Sequence, residues 1–273
     1  MQGEAGTGLD VEAVVFDMDG VLIDSRPVIE NAWRDVARRH GRTLDSAEVE
    51  GYVHGRTGAE TVRMLFPEHS DAARKAIWAE VDAVEEEAAY SVVPGADAIA
   101  ARLAQFGVPL VLVTSSWQRK IENALGRLGL LTLFPEVVTR DDVERGKPHP
   151  DPYLMAARRL GMDPARMLVF EDSVSGVASA VAAGALCVGI GGGELLAAGA
   201  VATTVDFTAL STRAAGGLST GGLSTGARSA EGLSTEGLSA GAAGAGRSGS
   251  DVLLDGLDVP IRVVVREVSG RHA

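Results

Sequence analysis

The apolar run Ala13-Val14-Val15-Phe16 stops abruptly at Asp17, and that change divides the chain into what packs and what reacts. A short β-branched run of this kind reads as a buried strand. From Ser25 the period lengthens: Pro27 suits a first helical turn, and Ile29, Ala32, Trp33, Val36 and Ala37 recur at helical spacing among Arg34, Asp35, Arg38 and Arg39, with Gly41 as the stop. Further helices are predicted over Ala47 to Val53, Ala59 to Leu65 and Asp71 to Tyr90, with Pro67 as a break. No convincing strand pattern falls between Ser25 and Tyr90.

Beyond Pro94-Gly95 helix and strand alternate. The pattern predicts helices over Ala96 to Phe106, Trp117 to Leu128, Asp151 to Leu160 and Val174 to Ala183, and strands at Pro109 to Val113, Val137-Val138, Met167 to Phe170 and Leu186 to Ile190. Alternation at these lengths implies parallel βαβ units. The expected fold class is α/β: a doubly wound parallel sheet, with an all-helical cap inserted after its first strand. The core takes residues 1–24 and 92–210 and the cap 25–91, with hinges near Asp24-Ser25 and at Ser91 to Gly95. Closing such a cap excludes water from the end of the first strand.

After Leu210 the composition shifts. Gly-Leu-Ser-Thr occurs at Gly217, Gly222 and Gly232, and Gly-Leu-Ser-Ala at Gly237, within a Gly, Ser and Ala rich stretch. Units this small cannot bury a core, so residues 211–250 read as a low-complexity linker. Residues 251–273 read as a short β tail, with Asp255-Gly256 as a turn and Ile261 to Val265 as a β run, adding a hairpin to a sheet edge outside the catalytic core.

Composition narrows the class. The 273 residues are 46% hydrophobic, enough for a substantial core, and no apolar run reaches membrane-spanning length. The N-terminus lacks the basic and apolar signature of a leader, and the lone Cys187 fits a reducing compartment, so a cytoplasmic protein is expected. A monomer is the expected state, although the sequence carries no signal for it. A net charge of −12 argues against nucleic acid or an anionic membrane as partner. A local basic pocket for a phosphate remains compatible with it.

Four strand ends carry polar groups. Asp17 and Asp19 end the first, and strand periodicity aims both the same way. Thr114-Ser115-Ser116 end the second, the Lys147 segment follows Val137-Val138, and Glu171-Asp172 end the fourth. In a doubly wound sheet such ends converge on one crevice. Carboxylates from two strands suit a hard cation such as Mg²⁺, and a hydroxyl with an ammonium suits phosphoryl oxygens.

The stretches Asp17-Met18-Asp19-Gly20-Val21-Leu22-Ile23-Asp24-Ser25, Thr114-Ser115-Ser116, Gly146-Lys147-Pro148-His149-Pro150-Asp151 and Phe170-Glu171-Asp172-Ser173-Val174-Ser175-Gly176 resemble, in order, the four motifs of the haloacid dehalogenase superfamily. The helical cap resembles that of its β-phosphoglucomutase-like and sugar-phosphatase branch. The resemblance implies that Asp17 is a nucleophile forming an aspartyl-phosphate and Asp19 a general acid and base. It implies Mg²⁺ held by Asp17, the Asp19 carbonyl and Asp172, with Glu171 a ligand or a partner of one. Thr114, Ser115 and Lys147 are then the phosphoryl-binding groups. Val53-His54-Gly55-Arg56-Thr57 resembles the cap loop of sugar and polyol phosphatases, which makes His54 and Arg56 candidates for substrate contact, and Trp33 a candidate pocket wall.

The expected function is a Mg²⁺-dependent phosphatase hydrolysing a small phosphorylated sugar or polyol. A phosphosugar mutase is the alternative, and a non-catalytic phosphate-binding protein is the alternative of another class. Mutase relatives use a His in the first cap helix, where this chain has Ile29, and basic residues in the late cap, where Ala79 to Tyr90 is acidic and has no Lys.

Overall fold

A computed structural model describes residues 9–53, 56–215 and 251–265. The chain opens with β1 (Leu9–Val11), β2 (Ala13–Phe16) and β3 (Ile23–Asp24). Four helices follow: α1 (Arg26–Arg39), α2 (Ser46–Tyr52), α3 (Gly58–Leu65) and α4 (Asp71–Glu87). Next come β4 (Ser91–Val92), α5 (Ala96–Gln105), β5 (Leu110–Val113), α6 (Gln118–Arg127), β6 (Glu136–Val138), α7 (Asp151–Leu160) and β7 (Met167–Glu171). The remainder is α8 (Val174–Ala183), β8 (Leu186–Ile190), α9 (Glu194–Ala197), β9 (Ala202–Thr204), β10 (Ser211–Ala214), β11 (Val252–Asp255) and β12 (Ile261–Val263).

The main sheet is parallel and runs β6-β5-β2-β7-β8-β9. Strands β2, β5 and β7 are buried throughout, as continuous apolar runs covered by helices on both faces must be. Strand β2 is central, and the order reverses there because β5 and β6 lie on one side of it and β7 to β9 on the other. A doubly wound sheet opens its crevice at that reversal, so the residue after Phe16 is placed in it by topology alone.

The cap has its own apolar cluster, in which Trp33, Val36, Leu65, Phe66, Ile77 and Val81 meet. Capping boxes fix its middle helices: Asp45 with Glu48 opens α2, and Thr57 with Glu60 opens α3. Helix α4 ends three residues before the predicted Tyr90. Glu85-Glu86-Glu87 place negative charge at the negative end of the helix dipole, and Ala88 turns extended. Both expected hinges are strands, β3 and β4, paired antiparallel as Ile23 with Val92 and Asp24 with Ser91.

The C-terminal segment departs from the expected arrangement. Its hairpin lies at the centre of a second sheet, ordered β1-β12-β11-β10, with β1 parallel to β12 and β10 antiparallel to β11. Ser211–Ala214, assigned to the linker from composition, is therefore a strand. Residues 216–250, with every Gly-Leu-Ser repeat, lie outside the described residues. Val11, Val252, Leu254, Ile261 and Val263 join Leu103 and Phe207 in the apolar cluster of the main core, and α5 packs against both β5 and β10. Short strands too weak to stand alone thus pack onto the main core. Among the described residues no helix is long and apolar enough to cross a membrane.

Candidate active site

Beyond β2 the backbone curls tightly: Leu22 and Ile23 both donate to the Met18 carbonyl, at 2.9 and 3.0 Å, and Gly20 donates to that of Ile23. Gly20 takes φ +78°, and a Cβ there would lie 2.0 Å from Asp172 Oδ2. The glycine is needed both for its left-handed backbone and for the approach of the β7 loop.

The curl gives the two carboxylates different partners. Asp17 faces Lys147, whose ammonium donates to Asp17 Oδ1 at 2.6 Å, to Glu171 Oε1 at 2.5 Å and to the Val113 carbonyl at 3.2 Å. Glu171 is fully buried, and Tyr153 also donates to its Oε1, at 2.7 Å. The other oxygen, Oε2, accepts from the amides of Asp172 and Ser173 at 3.1 and 3.3 Å and from the Ser173 hydroxyl at 3.2 Å. Burial pushes Asp17 up to about 7, with Glu171 and Asp19 adding to the shift and Lys147 opposing it. Asp172 is raised by desolvation in the crevice and by Glu171 and Asp17.

Asp19 points elsewhere. Ser116 Oγ donates to its Oδ2 at 2.7 Å and Lys120 Nζ to its Oδ1 at 2.8 Å. Burial opposes its ionisation, but Lys120, Ser116 and Ser25 outweigh burial and hold the carboxyl below its ordinary value. The neighbouring carboxylates are therefore poised oppositely.

Asp17, Glu171 and Asp172 offer oxygens within 4.8 Å of one another. Their mutual repulsion, the raised carboxyls of Asp17 and Asp172 and an all-oxygen donor set fit a hard divalent cation. Thr114 is buried and accepts from the Ser116 amide at 3.0 Å, which shapes the loop, while Ser115 is exposed beside it.

The predicted core residues therefore come together, and the cap candidates do not. Trp33 is 4% exposed and packs within the cap's apolar cluster. Arg56 is exposed and donates to the Gly51 carbonyl at 3.0 Å. His54 lies outside the described residues. The sequence reading missed Lys120, Tyr153 and the part played by Ser116. Lys120 had left a trace: it falls on the buried stripe of α6 with Ile121, Ala124 and Leu125.

The family profile of haloacid dehalogenase-like hydrolases matches residues 11–184. The chain belongs to that family. This hydrolase is 37% identical over 172 residues to hexitol phosphatase A of Escherichia coli K12, covering 62% of this chain and 78% of that one. It is 36% identical over 182 residues to validoxylamine A 7'-phosphate phosphatase of Streptomyces hygroscopicus subsp. limoneus, covering 66% and 85%. Among solved structures, a HAD family hydrolase of Deinococcus radiodurans R1 with bound phosphate and sodium superposes with a TM-score of 0.58 at 30% identity, over 71% of this chain and 90% of that one. A Thermotoga maritima protein provisionally described as a β-phosphoglucomutase gives a TM-score of 0.59 at 34% identity, over 71% and 94%. The second sheet's last three strands lie beyond the family match.

Proposed function

We propose that this hydrolase is a Mg²⁺-dependent phosphatase of a small phosphorylated sugar or polyol, working through an aspartyl-phosphate on Asp17. One observation carries the reading: two carboxylates a residue apart face different partners, Asp17 beside Lys147 and the acidic cluster, and Asp19 beside Ser116 and Lys120. Phosphatases among the relatives support the substrate class.

Asp17, Asp172 and the Asp19 carbonyl would hold Mg²⁺, with Glu171 a further ligand or a partner of one, and the ion would supply charge neutralisation for the carboxylates and the phosphoryl oxygens. An oxygen of Asp17 attacks phosphorus, and the bond to the leaving alcohol breaks. Asp19 takes up a proton on substrate binding and gives it to that alcohol oxygen. It then takes a proton from the water that attacks the phosphoryl-Asp17, releasing phosphate and restoring the carboxylate. Lys147, Thr114 and the Ser115 amide hold the phosphoryl oxygens, and the cap meets the sugar or polyol.

A mutase fits less well. Ile29, at the position where mutase relatives use a His, packs against the cap's apolar cluster, and the last turns of α4 offer Asp82, Glu85 and Glu86, already paired with Arg140, Lys120 and Arg119, and no Lys to hold a second phosphate. Phosphate release from sugar, polyol and nucleotide monophosphates, with Mg²⁺ and then with excess chelator, tests the proposal. Metal-dependent release from sugar or polyol phosphates is expected. Isomerisation of a hexose 1-phosphate without release overturns it in favour of a mutase, and silence in both assays in favour of a binding protein.

A further inference from the structure

The cap meets the core along one charged seam. Glu86 of α4 pairs with Arg119, Asp82 with Arg140 at 3.4 Å, and the Ala88 carbonyl accepts from Asn123 Nδ2 at 3.1 Å. These are rim contacts of ordinary kind; the Arg119 side chain is 81% exposed. The contact at the centre of the seam differs. Lys120 is 2% exposed, and its ammonium donates at 2.8 Å to Asp19 Oδ1 and at 2.8 Å to Glu85 Oε2. Its remaining side faces the rings of Tyr90 and Trp117, each 5.6 Å from Nζ.

An ammonium buried on the apolar stripe of a helix is costly unless its partners are complete. One partner is core and the other is cap, so seating the cap completes the pair of counter-charges around Lys120. Asp19 is likewise gripped on both oxygens, by Ser116 on one and by Lys120 on the other. Removing Glu85 leaves Lys120 with a single carboxylate and frees it to move, and Asp19 with it. We infer that Lys120 is a positioning residue that ties Asp19 to the cap through Glu85, so that the proton carrier is fixed in place when the cap is seated. The inference rests on Asp19 being the proton carrier of the proposed reaction.

Two readouts on the full chain test it. The first is Mg²⁺-dependent turnover of p-nitrophenyl phosphate by the parent and by Lys120→Met, Lys120→Arg, Glu85→Gln and Arg119→Ala. Lys120→Met should lower kcat about 10²-fold with little change in KM, Lys120→Arg should recover part of the loss, Glu85→Gln should lose about tenfold, and Arg119→Ala should match the parent. The second is amide exchange in the hinge pair Ile23–Asp24 and Ser91–Val92, which needs no turnover. Exchange there should be faster in Lys120→Met and Glu85→Gln than in the parent and Arg119→Ala. A Lys120→Met enzyme with parental kcat, or one altered only in KM, overturns the inference, as does hinge exchange that none of the variants changes. If Lys120→Met does not fold, the near-isosteric Glu85→Gln decides by the same two readouts. A parent that releases no phosphate refutes the phosphatase reading, and hinge exchange then still decides whether Lys120 ties down the cap.

Discussion

Lys147 Nζ stands 2.6 Å from Asp17 Oδ1 while donating to Glu171 on its other side, so one ammonium balances two buried carboxylates contributed by different strands. Both carboxylates raise the lysine above its ordinary value against the pull of burial, so it stays charged across the accessible pH range. Lys147→Met should therefore reduce phosphate-ester turnover by about 10²- to 10³-fold, the loss typical when one preorganised donor to a developing charge is removed. Steady-state phosphate release checks this, with circular dichroism to confirm the fold. A loss below about tenfold would mean that Lys147 is only structural.

Asp17→Asn should abolish turnover yet leave thermal stability equal or higher, because it removes a charge that burial and the neighbouring acids disfavour. Melting temperature and phosphate release together separate the two effects. An active Asn variant removes the nucleophile assignment.

Mg²⁺ should stabilise the protein more at about pH 8 than at about pH 5. Asp17 titrates near 7 in the folded metal-free protein and near 3.8 unfolded. The folded state thus holds the proton longer, and stability from this group falls as pH rises between those values. A bound cation favours the ionised form and relieves that loss where it is largest. Melting curves with and without Mg²⁺ at the two pH values check the sign, and the difference should shrink in Asp17→Asn.

Gly20→Ala should weaken Mg²⁺ binding by about tenfold or more and destabilise the fold by about 1–2 kcal/mol. The new Cβ meets Asp172 Oδ2 at 2.0 Å, and the backbone stays at φ +78°, where alanine is strained. Metal titration by calorimetry and a denaturation midpoint read the two effects.

Ile261→Ala should cost about 2–5 kcal/mol, the range for emptying a buried aliphatic site, although it lies far along the chain from the carboxylates. Truncation after Leu210 should be worse, since it removes β10, β11 and β12 and uncovers β1 and α5. Urea denaturation checks both, and a truncated chain as stable as the parent would show the second sheet to be dispensable.

Much of this was legible in the sequence because the signals are local. The apolar run ending at Phe16, the two-residue spacing of Asp17 and Asp19, and the alternation of strand and helix after Gly95 depend on near neighbours and on the pleat. They were enough for a parallel sheet and an inserted helical cap. The limits were equally local. Ser211–Ala214 has no apolar alternation and looked like the start of a linker, and became a strand because β11 was there to pair with it. Trp33 carries the same helical signature whether it faces a pocket or a core, and only the fold shows that it joins the cap's own cluster. Lys120 was not singled out, since only folding brings Asp19, 101 residues away, and Glu85, 35 residues away, to the same ammonium. The chain alone determined which residue types stand at the strand ends, because that follows from period and turn chemistry. Which carboxylate is raised, which is held ionised, and which cation answers to both core and cap were decided by tertiary structure, since charge effects act through space and burial rather than along the chain.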